Sequence, residues 1–400
     1  MGASESAGLR AYGELLSIGD VRRVVSWGLI GRLPLGMSAL ALVLLVRGEG
    51  GSYAAAGVVS AAFALASGAG APVGGRLVDR HRATVVLTGY AAAFGVSLLG
   101  LAGLAHAGAP LGSLIAAAAV AGFVAPPIAP TVRTMWPLIA PTPDLRATAF
   151  ALEATLQEVI FVSGPLLVAA LSAFISPGAG VPAAAILGSA GATGFALTST
   201  IRGRRPDPAH DRSGRRLRAL APADVRLTLA FTAAYGVVFG AAEVAMPAFA
   251  EQHGGRSLAG FALAAWSSGS LVGGILAASM RPPDMWARLR LVSLLFVLTL
   301  LPPLVVGSVP AMALAMFVAG LPIAPSFALS YNLIEQAAVP GTQAEVFGWI
   351  STSITLGIAA GTAGGGTLIA HRSVDASLAL AIAGAVAARA VLTGHHHSER

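Results

Sequence analysis

The chain alternates long apolar runs with short polar breaks, and that alternation leaves few folds open to it. A helix needs roughly 20 apolar residues to cross the hydrocarbon core of a bilayer. Runs of that kind fall at about 24–46, 53–75, 83–105, 110–137, 146–174, 181–201, 226–249, 257–280, 289–309, 310–336, 345–369 and 376–394. Turn and charge signals such as "RGEGGS", "HAGAP", "SPGAGVP" and "HRSVD" separate most of them. The junction near Pro310 is the least marked. Charged residues make up only 11% of the chain, against about 25% in a soluble domain. The expected fold is therefore an all-α membrane protein with twelve transmembrane helices. The first run is a full span rather than the shorter core of a cleavable leader. Cysteine is absent, which removes disulfides and thiolate metal sites.

All 25 basic residues are arginine, and their placement sets an expected orientation. With the N-terminus inside, 20 lie in inside segments, three in outside loops (Arg47, Arg256, Arg372), and Arg32 and Arg133 within spans. Basic residues collect in the loops that remain cytoplasmic. Both termini are expected in the cytoplasm of a bacterial cell, the chain crossing its inner membrane. The basic net charge then reflects topology, and no nucleic-acid partner is expected. No phosphate loop, nucleophile elbow or metal-ligand spacing is visible, so no enzyme activity, cofactor or metal is expected. The terminal "HHHSER" reads as a solvated tail.

The longest polar stretch, residues 202–224, lies at the midpoint and divides the chain into 1–201 and 225–400, six spans in each. "AGFVAPPIAPTVR" at 121–133 is echoed by "AGLPIAPSFALS" at 319–330. Arg22, Gly36 and Ala56-Gly57 align with Arg226, Gly240 and Ala259-Gly260 at a nearly constant shift. Two pseudo-symmetric six-helix bundles with a site at the midplane between them follow a known transporter plan. The proline-rich turns "APPIAP" and "LPIAP" are expected to kink the fourth and tenth spans.

Between the second and third spans lies "GGRLVDRHRATVV". It resembles the cytoplasmic-loop signature of the major facilitator superfamily, G-x-x-x-D-R-x-G-R-R/K. Gly75, Asp79 and Arg80 fit; Arg82 replaces the second glycine, and Ala83 and Thr84 replace the basic pair. The fifth-helix signature of drug/proton antiporters is matched only at Gly164-Pro165. The resemblance implies a latch of Gly75, Asp79 and Arg80 that holds the two halves together. Asp79 can meet Arg80 or Arg133, or cap a neighbouring helix. It also implies a cavity lined by the first, fourth, seventh and tenth helices with the fifth and eleventh. Gln157, Tyr235, Tyr331, Asn332 and Trp349 are the candidate lining groups.

Charged groups inside spans cost about 2.5–3.5 kcal/mol each at a helix centre and so pair or do work. At ~1.5 Å per residue, Arg32 lies roughly 15 Å and Glu158 roughly 18 Å from the inner end, which predicts an Arg32–Glu158 pair. Glu153, only about 10 Å deep, is expected to meet Arg133 in the latch. Glu243, roughly 25 Å along the seventh helix, is expected to face an outer vestibule and to carry protons, as is Glu158. Glu153 and Glu158, five residues apart, lie about 140° apart around their helix and cannot share a face. The expected function is export of a moderately hydrophobic small molecule, coupled to protons, by a monomer in the lipid bilayer. Uptake or exchange of a metabolite, or a sensor without transport, are the alternatives.

Overall fold

A computed structural model describes residues 11–140, 142–203, 218–253, 259–277 and 284–394. Most of the 202–224 linker and the "HHHSER" tail lie outside the described residues. The chain is helical throughout the described part: α1 (Val21–Gly48), α2 (Tyr53–Arg80), α3 (Ala83–His106), α4a (Leu111–Phe123), α4b (Ile128–Ile139), α5 (Pro143–Phe174) and α6 (Gly180–Ala196) come first. After the linker come α7 (Ala223–Gln252), α8 (Ala259–Ala277), α9 (Met285–Thr299), α10a (Val309–Gly320), α10b (Ile323–Ala337), α11 (Gln343–His371) and α12 (Val374–Gly394). A short helix over residues 11–17 precedes α1.

Among the described residues, ten spans are long and apolar enough to cross a membrane, counting α4a with α4b and α10a with α10b as one each. Within the described residues, the apolar stretches at the sixth and eighth positions are shorter, Gly180–Ala196 and Ala262–Ala277. The breaks fall where the prolines stand. At Pro126 and Pro127 a ring replaces a backbone N–H, and the α4 ladder is interrupted between Phe123 and Ile128. Pro322 and Pro325 mark the same interruption in α10. The uncertain junction resolves at Ser308, whose hydroxyl accepts from the N–H of Ala311, with Pro310 in the first turn of α10a.

Large apolar side chains face outward all round the bundle, among them Val85, Val96, Leu138, Leu166, Ile186, Leu314 and Leu356. Such a surface suits lipid rather than water. Inside, helices approach through small residues, as membrane interfaces require. At the α1–α5 crossing a Cβ on Gly36 would sit 2.3 Å from the carbonyl oxygen of Ile160, and one on Gly164 2.5 Å from the backbone of Gly36. That contact fixes the register of α1 on α5, with Arg32 one turn below it. Neither backbone can yield, so Gly36→Ala is expected to cost about 1–3 kcal/mol of stability, read as a lower midpoint in detergent denaturation.

Candidate functional site

Arg32 on α1, Arg133 on α4b and Glu153 on α5 meet in the interior, at 5%, 3% and 0% exposure. Arg32 forms an ion pair with Glu153 through Nη1 and Oε1, and its Nε donates to the carbonyl of Gly28 at 2.9 Å. Arg133 brings its Nε within 3.8 Å of the same carboxylate oxygen. Its Nη2 donates to the hydroxyl of Tyr331 on α10b at 3.0 Å, and the guanidinium carbon lies 4.0 Å from the centre of that ring. Phe150, Phe327 and Phe347 surround Tyr331 with centroids 6.0–6.3 Å away. The cluster thus joins the first half of the chain to the second through one charged hydrogen bond and a cation–π contact.

This arrangement corrects the expected Arg32–Glu158 pair. Depth counted along a helix axis ignores the reach of the side chain, and Cα–Cβ bonds tilt toward the helix N-terminus. Arg32 therefore reaches back about a turn, to Glu153. Glu158 points elsewhere, as the angle around α5 requires. It is half-buried, and its Oε1 accepts from the hydroxyl of Ser270 on α8 at 2.9 Å. Arg133 and Glu153, the other expected contact, lie together in this interior cluster. Glu243 on α7 is exposed.

A second layer of contacts lies at the arginine-rich end. The carboxylate of Asp79, 2% exposed, accepts from the backbone N–H of Glu345 at 3.0 Å and of Ala344 at 3.3 Å. It sits at the positive end of α11, where a carboxylate is stabilised by the helix dipole as well as by the orphan N–H groups. Gly75 allows this approach, since a Cβ there would lie 2.3 Å from the Ala344 carbonyl oxygen. Arg76 pairs with Glu345 at 2.5 Å and Arg146 with Glu335 at 3.1 Å, again across the two halves. Thr352 adds a hydrogen bond from α11 to the Gly68 carbonyl of α2, at 2.5 Å. Arg80 is exposed.

The Arg146–Glu335 pair is partly solvated, so Arg146→Ala is expected to change stability by less than about 1 kcal/mol. Denaturation of the variant beside wild type checks this.

Not every candidate lining residue keeps a free polar group. Tyr235 is fully buried among Phe231, Phe296 and Phe327. Its hydroxyl lies 2.8 Å from Ser326, whose own proton goes to the Pro322 carbonyl. Asn332 donates back to Ala328 of its own helix. Gln157 and Trp349 are half-buried, and the Trp349 indole N–H has no partner among the described residues. Sequence reasoning missed Glu335, Glu345 and Ser270. The carboxylates stood near span ends opposite a surplus of arginine, a signal that was present; Ser270 had none. Among the described residues no cluster of His, Asp and Glu suits a metal ion.

A bundle of apolar helices with broken fourth and tenth spans and a charged seam between chain halves describes a helical membrane protein. The sequence profile of the Major Facilitator Superfamily matches residues 28–392, and the chain belongs to that family. Its fold is similar to that of the human organic anion transporter MFSD10 (TETRAN), with a TM-score of 0.72, 17% identity, and coverage of 93% of this chain and 99% of that one. A bacterial homologue of the iron transporter ferroportin, solved in an outward-facing state, gives 0.73 at 15% identity over 95% and 99%. The proton:xylose symporter XylE gives 0.67 at 13% over 93% and 94%. No curated protein sequence matches the chain. The protein is therefore a multi-pass helical membrane protein with the fold of that family.

Proposed function

We propose that this carrier exports a moderately hydrophobic small molecule in exchange for protons, with the arginine-rich end facing the cytoplasm of a bacterial cell. In this reading α6 and α8 complete twelve spans in two six-helix bundles, joined by the 202–224 linker. The observation that carries the coupling is the hydrogen bond between Glu158 and Ser270. A half-buried carboxylate accepts from a hydroxyl on the opposite half of the chain. Rocking of the halves must change that environment, and with it the balance between the charged and neutral carboxyl. Glu243, exposed on α7, is the second proton-carrying group, at the outer end. Arg32 acts as the fixed counter-charge of Glu153.

The contacts at the arginine-rich end support closure there, with Gly75, Asp79 and Arg80 as the latch loop and Arg133 and Glu153 as the interior bolt. An apolar interior with few free amides favours a moderately hydrophobic substrate over a sugar. The direction is tested by a panel of such compounds in cells with and without the protein. Gradient-dependent depletion is the expected result, and accumulation inside the cells would overturn export.

A further inference from the structure

The interior cluster carries more positive charge than its own carboxylate balances. Arg32 and Arg133 share Glu153, and all three are at least nine-tenths buried. Arg32 Nη2, Arg133 Nε and the second carboxylate oxygen of Glu153 have no hydrogen-bond partner among the described residues, yet two guanidiniums still face one carboxylate. Glu158, on the far side of α5, is engaged by Ser270. A buried guanidinium without a full set of acceptors is costly, and an anion is what removes the cost. Arg133 also gives Nη2 to Tyr331 across the seam. When the halves part, that donor is released beside the two N–H groups already unpaired. A carboxylate accepts from such a planar fork in a way that an amide cannot. Phe150, Tyr331 and Phe347 supply apolar faces next to it.

We propose that the transported molecule is an organic anion, a carboxylate on an apolar or aromatic body, bound by Arg32 and Arg133. This rests on the transport reading above and names its substrate class. The test compares binding of 1-naphthylacetate and its neutral analogue 1-naphthylacetamide to the purified protein, by thermal denaturation. The acid is expected to bind at least about tenfold more tightly than the amide, the gain of a charge-assisted pair. Arg133→Gln should erase the difference, and Arg133→Lys should keep part of it. Equal binding of acid and amide, no shift with either, or a shift with sulfate as large as with the acid would overturn the proposal. Because the readout is binding, such a failure leaves the flux test of proton-coupled transport untouched.

A separate observation concerns the arm before α1. In the helix over residues 11–17, Tyr12 and Leu15 are buried at 7% and 0%, while Gly13, Glu14 and Ser17 face out. The Tyr12 hydroxyl donates to the Gly274 carbonyl of α8 at 2.9 Å and lies 3.0 Å from Thr155 Oγ1 of α5. One side chain thus bonds both halves at once. Asp20 fixes the arm's root by accepting from the backbone N–H of Thr200 at 2.8 Å. Parting of α5 from α8 must break one of the two Tyr12 bonds.

We infer that the arm is a brake, a wedge that must leave the α5–α8 seam before the arginine-rich end opens. The chain has no cysteine, so spin labels can be placed at will; Arg82 and Gln336, exposed on opposite halves at that end, suit the purpose. Tyr12→Phe, and deletion of residues 2–17, are each expected to raise the long-distance population several-fold. An unchanged or smaller long-distance population in Tyr12→Phe would overturn the inference, whether or not the deletion folds.

Discussion

Glu153→Ala is expected to destabilise the protein by about 3–5 kcal/mol, the penalty for removing one partner of a buried ion pair. Glu153 is fully buried and is shared by two guanidiniums. Its loss leaves Arg32 with the Gly28 carbonyl and Arg133 with Tyr331, neither of which carries a charge. The helices have little room to admit water, because the α1–α5 crossing is held at backbone contact one turn above. The check is chemical denaturation in detergent. A loss below about 1 kcal/mol, the range of a solvated surface pair, would show that the cluster is not the dry ion triad described here.

Asp79→Asn should have its largest effect on the balance between conformations rather than on folding. The native carboxylate accepts two backbone N–H groups at the start of α11 while buried. Hydrogen bonds to a charged group are worth about 1.5–3 kcal/mol, and a favourable helix-dipole site up to about 2 kcal/mol. Asparagine keeps one acceptor oxygen and loses the charge. A change of about 2 kcal/mol moves a two-state equilibrium roughly thirtyfold. With spin labels at Arg82 and Gln336, the variant should show a long-distance population many times that of wild type. Matching distance distributions would contradict the latch.

The spans were legible because roughly 20 apolar residues leave a chain no other way to satisfy its backbone in lipid. The breaks at Pro126-Pro127 and Pro322 were legible for a similarly local reason, the missing N–H. The length of α6 was not, since apolar flanks such as Leu197 continue past its last helical turn. Charge pairing was legible only in part. That Glu153 and Glu158 must point apart followed from helix geometry alone. Which of them meets Arg32 depended on the backward tilt of side chains and on the Gly36–Gly164 contact, a tertiary fact. Partners across the halves, such as Arg76 with Glu345, depend on how the bundle closes, and no local pattern encodes that. Tyr12 was hidden for another reason: it sits in an otherwise polar arm, where nothing marks it as buried.

Glu158 meets a hydroxyl across the moving seam, and proton coupling through it is the central claim. The direct measurement reconstitutes wild type and Glu158→Gln in liposomes with a substrate identified by the cellular panel. Flux is followed with an imposed pH gradient and, separately, as exchange without one. Wild type should respond to the gradient. The variant should lose that response by at least about tenfold, as expected for removal of an essential proton carrier, while retaining gradient-free exchange. Gradient-driven transport in Glu158→Gln equal to wild type would contradict the account.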